Sequence, residues 1–442
     1  MGDALVRWGI EVMQGFDAQH LVPAPDLVVV GNVCRPNNVE ARAAIDGGLP
    51  YTSLPQALAQ FCLAGRHSLV VAGTHGKTTT TALCAYLLDH VGQKPGFLIG
   101  GIPLGFSESF RWAETGAPFV VEGDEYDTAF FEKTPKFWHY QPEAAIVQAI
   151  EYDHADIYPD MPSYRAAFEG FVARLPEHGL LVANAADPEV RAVAARARCR
   201  VSYYSLDGED TGSITPEWLA APAPVQGQLQ PFDLFLGGSS CGRFYSPLFG
   251  MYNLRNAVAA LALCALGANA ELPALNRALP QFAGVKRRQE LRGTAGGVRV
   301  YDDFAHHPTA VQETLLGFRA RHPESRLIAV FEPRSATASR RIHQEAYAHA
   351  FGAADWVLFA PVGRSEIPAE ERLDLSKLSQ DLVAAGKEVV LGDSIDALVA
   401  RIVTSAQPGS VVVAMSNGAF GNIHDKLLSA LATRARPSDT TG

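Results

Sequence analysis

A lysine held between a glycine and a threonine, directly after an apolar β-branched run, is a combination suited to binding phosphate. The sequence has it at Gly73 to Thr78 (GTHGKT), behind Ser68 to Ala72 (SLVVA). A helix is expected from Thr79 to Val91, where Ala82, Leu83, Tyr86 and Leu87 recur at helical spacing. Strand, loop and helix are the context a phosphate loop requires. Its glycines let backbone N–H groups approach the anion, and the helix N-terminus favours negative charge. Lys77 then neutralises the β/γ-phosphates and the Thr78 hydroxyl ligates Mg²⁺. The loop is a shorter variant, because the usual glycine five places before Gly76 is Val71 and Gly73 serves instead. A plain strand-to-helix turn leaves the lysine unexplained.

Two acidic segments follow, each at the end of an apolar strand. Glu122 to Asp127 (EGDEYD) carries four carboxylates in six residues. These repel one another unless water or cations neutralise them, and hard oxygen ligands beside a phosphate site suit Mg²⁺. Glu151 to Asp156 (EYDHAD) adds His154, which could be a metal ligand, a base or a polar loop residue. Gly250 to Asn256 (GMYNLRN) opens a helix with Asn253 and Asn256 on one face. Asn253 is expected to cap that helix, the alternative being an amide that reads a base edge. Asp302 to Pro308 (DDFAHHP) follows a strand, with Arg287 and Arg288 upstream. Its DD…HH pattern could suggest a transition-metal site, although Pro308 fits the first turn of a helix and an Asp or His before it can simply cap. Arg334, in Phe331 to Ser335 (FEPRS), could hold a carboxylate bidentately. Ser416 to Gly421 (SNGAFG) is a glycine-bearing turn.

The elements that must position these groups are short apolar strands alternating with helices. The strands are expected at Asp26–Val30, Ser68–Ala72, Phe119–Val121, Ala144–Ile150, Val298–Tyr301, Leu327–Phe331, Trp356–Phe359, Val389–Leu391 and Val411–Met415. That pattern argues for parallel α/β sheets. Ligands bind at the carboxyl edge of such sheets, so the phosphate loop, the acidic cluster and His154 are expected to converge there. With 442 residues, about three domains are expected, with boundaries near Gly65–His67 and Phe282–Arg288: residues 1–66, 67–282 and 283–442. Gly208 to Gly242 reads as loops and short strands. The first unit opens with a helical stretch (Asp3 to Trp8) and a short IEV strand, without the strand and glycine-rich turn that begin a dinucleotide-type fold.

A net charge of −10 argues against a nucleic-acid surface. The six scattered cysteines form neither zinc spacing nor a disulfide framework. No signal peptide and no membrane span are evident, so a cytoplasmic protein is expected.

Taken together, GTHGKTTT, EGDEYD, DHAD, GMYNLRN, GVKRR and YDDFAHHP resemble the Mur ligases in order and spacing over nearly the whole chain. The resemblance implies a three-domain α/β architecture. It comprises an incomplete N-terminal Rossmann-like domain, a central P-loop ATPase-type domain and a C-terminal Rossmann-like domain. It also implies ATP and Mg²⁺ as cofactors, with small-molecule UDP-sugar and peptide substrates. EYDTAFFEK and FEPRS are similar to the branch that joins L-Ala-γ-D-Glu-meso-diaminopimelate to UDP-N-acetylmuramate in peptidoglycan recycling. The alternatives are the branch that adds L-alanine and a catalytically silent UDP-muropeptide-binding protein.

By the resemblance, Lys77, Glu125 and His154 are catalytic, and Thr78, Glu125 and His154 hold metal. Gly73, Thr74, His75, Gly76, Lys77, Thr78, Thr79, Asn253, Asn256, Arg288 and Asp302 contact ATP. Arg334 is the candidate for the peptide carboxylate. A hinge is expected near Gly284, about which the C-terminal domain closes. The chain departs from the family at Tyr252, where relatives have histidine, and at its start, where their UDP-binding strand and glycine-rich turn are lacking. Weakened or absent UDP-sugar binding is the corresponding expectation.

Overall fold

The computed structural model describes residues 2–363 and 367–434. Its largest sheet has ten strands. In spatial order they are Ser239–Ser246, Gln230–Leu236, Trp218–Pro222, Arg200–Leu206, Leu180–Asn184, Ala144–Val147, His67–Ala72, Pro118–Gly123, Gly96–Leu98 and Phe110–Arg111. The run from Trp218–Pro222 to Gly96–Leu98 is parallel, and antiparallel strands close both edges.

Strands buried on both faces explain why the sequence reads as continuous apolar runs. Leu69 and Val71 face one core with the helices Lys77–His90 and Met251–Ala262. Val70 and Ala72 face the other, with Phe168 and Phe171 of the helix Met161–Val172. The register is what matters for function. Ala72 is paired with Gly123 on one side and Val147 on the other, so three strands end level at one edge.

The second sheet has six strands, ordered Glu290–Ala295, Val298–Asp303, Val411–Met415, Leu327–Phe331, Trp356–Phe359 and Glu388–Leu391. It is parallel after its opening hairpin. Met415 pairs with both Asp303 and Phe331, so the segments DDFAHHP, SNGAFG and EPRS leave the sheet side by side. The first segment of the chain is smaller. Val28–Val30 and Tyr51–Ser53 pair in parallel around the helix Val39–Asp46, which Asn38 caps by accepting from the Ala41 N–H.

Several expectations need correction. Ile10–Val12 is irregular rather than a strand. The strand expected through Ile150 stops at Val147, and the side-chain amide of Gln148 just beyond it donates to Thr80 Oγ1 and Asn256 Oδ1. Gly208–Gly242 is loops and short strands as expected, and its strands Trp218–Pro222 and Gln230–Leu236 extend the central sheet. Asn253 does not cap its helix. Gly250 takes the cap position at φ 92°, and Asn253 lies inside the first turns, donating to the Phe249 carbonyl at 2.9 Å. His307 precedes the helix Pro308–Arg321, yet makes no capping bond. Gly284, in the link between the sheets, has φ 90° and accepts from the Leu104 N–H at 2.9 Å.

One consequence of the packing is acid sensitivity. His322 ends the helix Pro308–Arg321 near the Tyr301 hydroxyl. Burial, then the charges of Arg299 and Arg321, push its pKa down to about 4. A histidine depressed when folded is more readily protonated when unfolded, so its contribution is present above its unfolded pKa near 6.5 and is lost as pH falls toward 4. Urea denaturation at pH 7.5 and pH 5 should show His322→Asn losing less stability on acidification, by about 1 kcal/mol after allowing for solvent screening. An unchanged difference between the two pH values contradicts this.

Candidate active site

The three level strand ends deliver three loops into one cleft of about 1040 Å³. The phosphate loop reaches it first. Gly73 has φ 138° and Gly76 φ 81°, and a side chain at Gly76 would come within 2.5 Å of the Asn256 amide oxygen. Both facts keep the loop tight and its amides accessible. Thr74 ties the loop to the next strand end: its hydroxyl donates to the Glu151 carbonyl at 3.0 Å.

Lys77 lies in the first turn of the helix Lys77–His90. Its ammonium donates to the Gly73 carbonyl at 2.7 Å and to both Glu125 oxygens at 2.7 and 3.0 Å. Glu125 is fully buried and also accepts from His154 Nε2 at 3.0 Å and the Tyr164 hydroxyl at 3.1 Å. Tyr158 donates to its backbone carbonyl at 2.6 Å. Burial works against the Glu125 charge, but Lys77 and then His154 hold its carboxyl down at about 2. Burial also works against the Lys77 ammonium and the His154 imidazolium, and the Glu125 carboxylate raises the pKa of each above its ordinary value. Lys77, Glu125 and His154 are thus one connected charge network, as the sequence led us to expect.

Two features depart from that expectation. Glu125 lies behind the cleft wall, and its oxygens are engaged by Lys77, His154 and Tyr164. The carboxylate beside the loop threonine is instead Glu122, which accepts from Thr78 Oγ1 at 2.8 Å and from the Gly100 N–H at 2.7 Å. Burial raises the Glu122 pKa despite the nearby Lys77. Such a half-buried carboxylate, paired with a hydroxyl, is a donor set that suits a hard divalent cation. The spacing of EGDEYD made Glu122 a candidate but could not say which of its four acids faces Thr78.

Thr74, His75, Gly76, Lys77, Thr78, Thr79, His154, Asn256 and Arg288 all line the cleft. Arg288 crosses from the C-terminal side, 3.3 Å from Thr78 Oγ1. Asn253 is buried one layer behind, accepting from Asn256 Nδ2 at 3.2 Å. Asp302 is not brought to the cleft: it is buried between His424, Arg287 and Arg292, at 3.4 to 3.5 Å. Its neighbour Asp303 lines the wall in its place, accepting from the Gln289 and Ala305 N–H groups at 2.8 Å. In a strand, successive side chains point to opposite faces, so a DD pair sends one aspartate each way. Tyr252 lines the cleft, and burial pushes its hydroxyl pKa up. Arg334 leaves the end of Leu327–Phe331 with Nη1 3.5 Å from Glu332, its side chain packed where a Cβ on Gly418 would sit.

Sequence reading also missed a cluster that joins the phosphate loop to the C-terminal unit. Glu151 faces His75 from the phosphate loop and His307 from the C-terminal unit, each at 3.2 Å. Burial opposes the Glu151 charge, but the hydrogen bond from His75 leads the interactions that hold its carboxyl at about 2. Burial, then the nearby His75, pushes His307 well below the ordinary histidine range.

A family model described as the Mur ligase middle domain matches residues 71–264, and one described as the Mur ligase glutamate ligase domain matches residues 287–418. The chain is 38% identical over 436 residues to the UDP-N-acetylmuramate–L-alanyl-gamma-D-glutamyl-meso-2,6-diaminoheptandioate ligase of Escherichia coli, covering 98% of this chain and 91% of that one. It is 32% identical over 446 residues to the UDP-N-acetylmuramate–L-alanine ligase of a Roseiflexus strain, covering 97% and 91%. Among solved structures, a murein peptide ligase from Psychrobacter arcticus superposes with a TM-score of 0.67 at 33% identity, covering 97% and 91%. With these matches spanning nearly the full chain, the protein belongs to the Mur ligase family.

Proposed function

We propose that this ligase joins the carboxylate of UDP-N-acetylmuramate to the amine of L-Ala-γ-D-Glu-meso-diaminopimelate, converting ATP to ADP and phosphate, in cytoplasmic peptidoglycan recycling. The observation that carries this reading is the junction of Lys77, Glu125 and His154 at three level strand ends, with Arg288 reaching Thr78 from the opposite side. A carboxylate is a poor electrophile until one of its oxygens becomes a leaving group. One carboxylate oxygen attacks the γ-phosphorus and ADP departs, leaving an acyl phosphate. The amine nitrogen then attacks the carbonyl carbon, a proton is lost, and the tetrahedral intermediate expels phosphate. Phosphoryl transfer of this kind is mainly positioning and charge neutralisation.

Within that scheme Gly73, Thr74, His75, Gly76 and Thr79 supply the loop that cradles the phosphates, and Lys77 swings from Glu125 to meet them. Thr78 and Glu122 would hold Mg²⁺, which when bound neutralises phosphate charge. His154, which lines the cleft, would be available to a second ion, with Glu125 behind the wall orienting it. Asn256, braced by Asn253, faces the adenine side. Arg288 acts from the C-terminal unit, with Asp302 steadying the arginines around it. Arg334, at the end of its strand, is suited to the peptide's carboxylate. Residues 67–282 and 283–442 are the units that close about Gly284, and residues 1–66 belong to the UDP-sugar side.

The test is ADP release with UDP-N-acetylmuramate and, in turn, the tripeptide, L-alanine or no amine. The reading predicts turnover with the tripeptide well above that with L-alanine. Turnover with L-alanine alone assigns the chain to the alanine-adding reaction. Absence of ADP release under every condition makes it a binding protein.

A further inference from the structure

Of the cluster His75, Glu151 and His307, only the loop residue His75 enters the scheme above, and the cluster's composition differs from that of the phosphate network. His75 Nε2 and His307 Nδ1 each lie 3.2 Å from Glu151 Oε2. All three potential ligand atoms lie within 4.8 Å of one another. Two ligands placed ~2.1 Å from a tetrahedral ion are separated by about 3.4 Å, so a small rotation of either ring completes the geometry. His307 is only 6% exposed, and neither of its ring nitrogens makes a hydrogen bond. A buried imidazole whose nitrogens lack hydrogen bonds is costly and calls for a ligand.

The surroundings are arranged as supports for such a ligand set. Thr309 donates to Glu151 Oε2 at 2.6 Å and so fixes the carboxylate. The His343 ring packs edge-on against His307 at 4.6 Å, while its own Nε2 is 3.2 Å from the Tyr152 carbonyl. His343 is thereby occupied and does not compete. Two imidazoles and one carboxylate, with a fourth position toward the cleft, favour a borderline transition ion over Mg²⁺, which prefers oxygen.

We propose that His75, Glu151 and His307 form a site for a divalent transition ion of the Zn²⁺ class, separate from the nucleotide's magnesium and bridging the two walls of the cleft. The ligands come from the phosphate loop, the end of Ala144–Val147 and the segment before Pro308–Arg321. An ion held there ties the C-terminal unit to the central one and favours the closed arrangement.

Co²⁺ as a spectroscopic substitute for Zn²⁺ tests this on the full chain without nucleotide. One equivalent should give the visible absorption of a four- or five-coordinate ion, undiminished by excess Mg²⁺. His307→Gln should weaken binding about 100-fold or more, and so should His75→Asn, which lies on the more exposed side and serves if the buried variant misfolds. His154→Gln, at the phosphate network, should retain the spectrum. The proposal is overturned by a weak six-coordinate spectrum, by displacement with Mg²⁺, by loss of the spectrum in His154→Gln, or by its retention in a folded variant of either proposed histidine.

Discussion

Lys77→Ala is expected to lower ligase turnover by at least about 10³-fold, the scale on which a single charge-stabilising group acts on a transferring phosphoryl group. The side chain is placed for that purpose. It sits in the first turn of the helix behind the loop, 2.7 Å from the Gly73 carbonyl, and its ammonium is held by Glu125 until a stronger anion arrives. The variant should still fold, because Glu125 retains His154 and Tyr164 as partners. Steady-state ADP release and a thermal melt by circular dichroism measure the two halves of this expectation. Near-normal turnover, or a chain that no longer melts cooperatively, contradicts it.

Glu125→Ala is expected to act on stability as strongly as on activity. The carboxylate is fully buried and is the shared acceptor for Lys77, His154 and Tyr164. Deleting one partner of a buried charge pair strands the others, at a cost of about 3–5 kcal/mol. Removing both charges together, as Lys77→Met with Glu125→Leu, should recover much of that loss, since apolar replacements of buried pairs are often neutral. Urea denaturation of the single and double variants measures the coupling. If Glu125→Ala falls within 1 kcal/mol of the parent, the buried network described above does not exist in solution.

How far the sequence alone leads can be judged from particular segments. Leu327–Phe331, Trp356–Phe359 and Val411–Met415 were legible to the residue because fully buried parallel strands leave an unbroken apolar signature. The level ends of His67–Ala72, Pro118–Gly123 and Ala144–Val147 were implied by motifs at each strand's close, and the register bears this out. Asn253 misled because asparagine is a common cap, whereas Gly250 at φ 92° takes that role. The choice of Glu122 over its acidic neighbours, and of Asp303 over Asp302, depends on which face each strand residue presents. That is set by pairing partners far away in the chain. The His75–Glu151–His307 cluster was illegible for the same reason: its members meet only when two separate sheets face each other.

On this mechanism the muramyl carboxylate is activated by taking a phosphoryl group at this site. UDP-N-acetylmuramate labelled with ¹⁸O in its carboxylate, incubated with ATP, tripeptide and the full chain, tests it most directly. The acyl-phosphate route requires the departing phosphate to carry one labelled oxygen for each amide formed, with ADP as the nucleotide product. Amide formation with unlabelled phosphate, or with AMP and pyrophosphate, contradicts it.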